Sequence, residues 1–128
     1  MSIKVSWHND EHTILYIQYI NRWTLEEFYE MVQISTRMTE ASRPFVVIGD
    51  FSQSSMMPNG LLSTGRRIEQ STPSHRLMLL LVQPNMLMQM LVKTVSKIYP
   101  KMVDNAIIVG SLDEAFEKAH VRLQAQQR

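Results

Sequence analysis

The sequence predicts an α/β fold: a single-domain mixed β-sheet in which an N-terminal hairpin precedes alternating β/α units, with about four helices. Three observations carry this expectation. Phe45–Ile48 and Leu77–Val82 are continuous apolar runs, the pattern of strands covered on both faces. Ile3, Val5 and Trp7 instead alternate with polar residues, as in a strand with one solvated face. Two capping boxes, Thr24-Leu-Glu-Glu27 and Ser111-Leu-Asp-Glu114, open stretches with apolar residues at helical spacing.

Each element follows from local chemistry. Ile14–Tyr19 forms a second β-rich run, and His8-Asn-Asp-Glu-His12 joins it to the first as a polar turn, giving a hairpin. The helix opened by Thr24 carries Leu25, Phe28, Tyr29 and Val32, with Met31 and Met38 beside them. It runs to about Thr39, because Ala41-Ser-Arg-Pro44 stops it: the residue before proline is pushed out of the α region. After the strand at Phe45, a polar loop from Asp50 to Asn59 is expected, then a short helix carrying Leu61, Leu62, Gly65 and Ile68. Leu77–Val82 is the next strand. Asn85 caps a helix whose core face reads Leu87, Met90, Leu91, Val95 and Ile98. Ala106–Val109 is the last strand, and Leu112, Ala115, Phe116, Ala119 and Leu123 face the core from the last helix.

Composition narrows the function classes. The 128 residues suit one domain, expected over 1–123, with 124–128 as a flexible tail. There is no cysteine, which removes disulfides, thiolate nucleophiles and cysteine-ligated metals and fits a cytoplasmic protein. The formal net charge of +1 gives no global field for nucleic acid or an anionic membrane. The start lacks an apolar signal region, and the most apolar stretch, Leu77–Val92, is interrupted by Gln83, Pro84, Asn85 and Gln89, so no membrane span is expected.

The motifs that look like chemistry fail on context. His8-Asn-Asp-Glu11-His12 matches H-x-x-E-H, but that zinc pattern needs both histidines on one helical face, and here the flanks alternate as strands. Gly60-Leu-Leu-Ser-Thr-Gly65-Arg-Arg67 nearly matches a phosphate-binding loop, yet Arg66 stands for the lysine and Arg67 for the hydroxyl. Lys93, Lys97 and Lys101 recur every four residues, as on a solvated helix face near a C-terminus. No nucleophile, base and orienter converge, so no catalytic residue, metal or cofactor is expected.

Asp50-Phe51-Ser52 at a strand end, the Gly60-Leu61 that follows, and Ile107-Ile-Val-Gly-Ser-Leu-Asp-Glu-Ala115 together resemble STAS domains, the family of sulfate transporters and anti-sigma factor antagonists. The resemblance implies a non-enzymatic regulatory or ligand-binding module. In the antagonist branch, a serine at the helix start after this strand is phosphorylated; here Pro58 or Asn59 stands there, leaving Ser54 and Ser55 as nearby substitutes.

The expected working edge lies at the carboxyl ends of the parallel strands, where open α/β sheets collect ligands. Its residues are Asp50, Ser52, Ser54, Ser55 and Asn59 of the loop, with Gln83, Asn85 and Ser111 from the following turns. Helix N-termini after Asn59, Asn85 and Ser111 would aim backbone donors there. The occupant is a protein partner or a small anionic or apolar ligand. The alternative is an apolar small-molecule or lipid carrier, with Met56, Met57, Met86 and Met90 around its mouth. Homodimerisation through the hairpin or the methionine segment is compatible with the same pattern.

Overall fold

A five-stranded sheet in the order β1-β2-β3-β4-β5 organises the chain. The structure, a computed structural model, describes residues 2–56, 58, 60–61, 72–103 and 105–126. The strands are β1 (Ile3–Trp7), β2 (Ile14–Arg22), β3 (Phe45–Met56), β4 (Arg76–Val82) and β5 (Ala106–Val109). The described helices are α1 (Leu25–Thr39), α2 (Met86–Ile98) and α3 (Leu112–Gln126), with a 3-10 turn at Pro100–Val103. β1 and β2 pair antiparallel as the expected hairpin, and every later neighbour pairs parallel. The helix expected through Leu62, Gly65 and Ile68, with the near phosphate-loop motif, lies outside the described residues.

The continuous apolar strands are buried on both faces, as their composition requires. One face collects Leu15, Ile17, Phe45, Val47 and Leu81 under Phe28 and Met31 of α1 and Met88 of α2. The other collects Ile14, Val46, Ile48, Leu80, Val82 and Val109 under Ala115 and Ala119 of α3. Alternation along a strand divides its residues between the two cores.

Both expected caps on the outer helices are made. Thr24 Oγ1 accepts from the Glu27 amide at 3.1 Å, and Glu27 Oε1 accepts from the Thr24 amide at 3.2 Å, closing the capping box. Glu27 Oε2 also accepts from the Ser2 amide at 2.7 Å, tying the chain start to α1. That bond, first among several, holds the Glu27 carboxyl below its usual range. At the other pole, His75 Nε2 lies 2.7 Å from the Thr39 carbonyl and joins the entry of β4 to the end of α1.

Two expectations change. First, Asp50–Ser55 are not in a loop: β3 continues to Met56. The long β2 supplies the partner, with Gln18, Ile20, Asn21 and Arg22 opposite Asp50, Gln53, Ser54 and Met56 across two register shifts. A backbone ladder on one side therefore outweighs the polar side chains. Second, α2 is rotated from the expected phase. Met88 and Val95 are buried and Leu91 and Val92 half-buried, whereas Leu87, Met90 and Ile98 are exposed. A helix with apolar residues on nearly all sides offers several alternative faces, and packing selects one. The last helix continues through 124–126; no proline or glycine breaks it, and Arg122 Nη1 donates to Gln126 Oε1 at 3.5 Å one turn on.

Candidate functional site

One row of residues crosses the parallel strands at the rim. Gln18 pairs with Asp50, Asp50 with Val82, and Val82 with Val109, so β4 and β5 end at this level while β2 and β3 run on past it. Beyond that row lie the β3 tail, the Gln83–Asn85 turn and the Gly110–Ser111 turn. The described register between β3 and β4 stops at Asp50, while β2 continues to pair with β3. Among the described residues, the β3 tail is therefore laddered on its β2 side alone.

Asp50 is buried, at 4% exposure, on the α3 side of the sheet. A buried carboxylate needs donors, and two are present: Tyr16 Oη donates to Oδ2 at 2.6 Å, and the Ser52 amide to Oδ1 at 2.9 Å. Burial raises the Tyr16 phenol above its usual range, and the hydrogen bond to Asp50 and that residue's charge add to the rise. The Phe116 ring of α3 stacks on His8 at 4.0 Å and tilts against Tyr16 at 6.4 Å. Asp50 is thus a buried acceptor with both carboxylate oxygens hydrogen-bonded within the fold.

The remaining site residues divide by exposure and by partner. Ser54 is half-buried and its Oγ accepts from Trp23 Nε1 at 3.0 Å. Ser52 and Ser55 are exposed on the same strand. Gln83 adopts φ of 50°, its amide donates to the Val109 carbonyl at 3.0 Å, and its Nε2 donates to the Gly110 carbonyl at 2.9 Å. It locks the β4 and β5 exits together. Asn85 Oδ1 accepts from the Met88 amide at 2.8 Å, and Ser111 Oγ from the Glu114 amide at 3.1 Å. Both caps are used by their own helices, one on each face of the sheet, with both N-termini at the rim. Asn59 lies outside the described residues.

The structure thus brings Asp50, Ser52, Ser54, Ser55, Gln83, Asn85 and Ser111 to one edge, but only Ser52, Ser55, Gln83, Asn85 and Ser111 are exposed there. Sequence reasoning missed Tyr16 and Trp23, which fix Asp50 and Ser54. The available signal was weak: each is a polar-tipped aromatic in or after a strand, and such residues find a partner when buried.

Two apolar cavities lie between the sheet and the α1/α2 layer. One, of about 150 Å³, is bordered by Met31, Val32 and Ser35 of α1 and reaches Arg76. The other, of about 120 Å³, is bordered by Trp23, Phe51, Leu61, Met88 and Val95. Both touch Ile17, Tyr19, Phe28, Val47 and Leu79. The expected methionine mouth is not as drawn from sequence. Met86 and Met90 point outward at 78% and 59% exposure, and Met88 is the methionine at the cavity; Met57 lies outside the described residues, and the Met56 side chain is not described.

The H-x-x-E-H motif occupies the hairpin turn, with His12 stacked on Trp7 at 4.9 Å and His8 on Phe116, rings belonging to opposite sheet faces. Among the described residues, no helix is long and apolar enough to cross a membrane.

No family model matches the chain, and no curated protein is similar to it in sequence. Solved structures are similar in fold. An uncharacterised protein of the DUF3478 family with a SpoIIAA-like fold, from Shewanella loihica PV-4, superposes with a TM-score of 0.67 at 8% identity, covering 92% of this chain and 93% of that one. The anti-sigma factor antagonist SpoIIAA, in its unphosphorylated form, superposes with a TM-score of 0.53 at 13% identity, covering 94% of this chain and 97% of that one. The hairpin, the parallel strands that follow it and the helices on both faces are, in this protein, a SpoIIAA-like fold.

Proposed function

We propose that this protein is a non-enzymatic regulatory module that binds a protein partner through the carboxyl rim of its sheet. One observation carries the reading: the β3 tail holds exposed Ser52 and Ser55 where its described ladder is one-sided, beside two capped helix N-termini. Strand edges and helix N-termini are surfaces on which a partner finds backbone groups and favourable potential without any catalytic group. The likeness to an anti-sigma factor antagonist supports the same class of action. Ser55 is the better acceptor for a regulatory phosphate, because Ser54 is half-buried and already bonded to Trp23. The soluble, cytoplasmic setting expected from the sequence suits this role.

Photo-crosslinking residues placed one at a time at Ser52, Ser55 and Gln83, and at Glu117 on α3 as a control, test the reading in the host cell. The rim positions should trap one common protein that Glu117 does not, and Ser55→Asp should change the yield. Traps indistinguishable from the control would refute a rim interface.

A second reading, an apolar small-molecule carrier, is favoured by the two neighbouring cavities under α1 and α2. Native mass spectrometry of gently purified protein should then show a bound apolar mass; a spectrum of protein alone counts against it.

A further inference from the structure

Helix α2 leaves an unusual amount of apolar surface uncovered. At 3.6 residues per turn, Met86, Met90, Lys93 and Lys97 form the line opposite buried Met88 and Val95, while Leu87 and Ile98 lie along the next flank. Met86 is 78% exposed, Leu87 and Met90 59% each, and Ile98 54%. The stripe is about 18 Å long, from twelve steps of 1.5 Å. Its charge is of one sign: no Asp or Glu occurs in the sequence between Glu69 and Asp104, and Lys93 and Lys97 are exposed. Helices α1 and α3 both carry carboxylates in their first turns.

We propose that this face of α2 docks an acidic amphipathic helix from a protein partner. The inference deepens the regulatory reading above and rests on it. The apolar side of such a helix would cover Met86, Leu87, Met90 and Ile98, and its carboxylates would reach Lys93 and Lys97. Charge decides the occupant. A second copy offers the same lysines and, from α2, no carboxylate to meet them. A bilayer would press on the outermost line, where lysines hold the second half and no aromatic anchor is present. Methionine suits a protein groove better, because its flexible thioether adapts to a partner's side chains. The stripe also begins directly after Asn85, so a partner seated on the rim reaches it without a break.

Methyl-labelled methionine makes the test direct. The probe is a synthetic helical peptide with a leucine stripe and glutamates on both flanks, titrated into the full chain. The Met86 and Met90 methyl resonances should move in a saturable, salt-sensitive way, and that of buried Met88 should move less. Lys93→Glu with Lys97→Glu should weaken binding about tenfold and admit the same peptide rebuilt with lysines. Leu87→Ser with Met90→Ser should weaken it similarly, and all four positions are exposed, so thermal unfolding should not change. Any of three results would overturn the proposal: no response to the acidic peptide, a response to phosphatidylglycerol vesicles alone, or concentration-dependent shifts without any probe. Ser52→Asp with Ser55→Asp should leave the peptide response intact. An error in the rim assignment therefore appears in the crosslinking, and an error here in the methyl spectra.

Discussion

The two faces of the sheet are covered by opposite means. On the α1/α2 side the filling is aromatic: Tyr19 stacks on Phe51 at 4.3 Å, and Trp23 lies 4.9 Å from Tyr19 and 5.7 Å from Phe28. Rigid rings held at fixed angles leave space, and both apolar cavities are on this side. On the α3 side, fully buried Ala115 and Ala119 meet branched aliphatics, so the helix backbone sits close to the sheet. Larger side chains therefore did not bring their helices closer to the sheet. The small ones did, because a methyl lets two backbones approach while a ring keeps them apart.

Overfilling the α3 side gives the largest expected effect. Ala119→Leu adds three carbons where no exposure remains, and should cost about 3 kcal/mol in urea unfolding. A loss under about 1 kcal/mol would mean that this face has slack and that the contrast is wrong.

The next effect concerns the polar pair at the rim of the same face. Tyr16→Phe removes one donor from buried Asp50 and should cost about 2 kcal/mol at neutral pH. The pH dependence has a definite sign. Tyr16 and Tyr19 both titrate above their ordinary value of 10.0 in the folded protein, Tyr19 through burial. The fold thus holds their protons more tightly than the unfolded chain does. Their contribution is complete below pH 10 and is lost as pH rises above it. Urea midpoints followed upward through pH 10 should fall, and Tyr16→Phe should fall less steeply; an unchanged slope would assign the effect to Tyr19 alone.

The smallest effect lies on the loose side. A Cβ added at Gly49 would sit 3.5 Å from Leu81 Cδ2 and Phe51 Cε2 and 3.7 Å from Tyr19 Cε2, all ordinary contacts at the edge of the second cavity. Gly49→Ala should raise stability by about 0.5 kcal/mol, chiefly by restricting the unfolded chain. A marked loss would show that the aromatic layer is tighter than its cavities suggest.

Much of this was legible residue by residue. Thr24 and Glu27 announce α1 because a capping box is a contact between neighbours in sequence. Phe45–Ile48 and Leu77–Val82 announce interior strands because alternation vanishes when both faces are covered. Leu112, Ala115, Phe116, Ala119 and Leu123 give α3 its correct face because the rest of that helix, Val121 and Ala125 apart, is polar. The phase of α2 was not legible, since Met86, Leu87, Met88, Met90, Leu91 and Val92 offer too many apolar choices. Nor was the reach of β3: Ser52–Ser55 reads as loop until the long β2 is placed alongside.

The sequence by itself determined the element order, the caps and the convergence of hydroxyls and amides near three strand ends, because these follow from local pattern and from parallel crossovers. Only the tertiary structure decided which of those groups remain open. Asp50 is taken by Tyr16, Ser54 by Trp23 and Gln83 by Gly110, while Ser52 and Ser55 stay exposed. A polar side chain declares what it can bond to in its own chemistry, but whether it is already bonded depends on residues far along the chain that the fold carries to it.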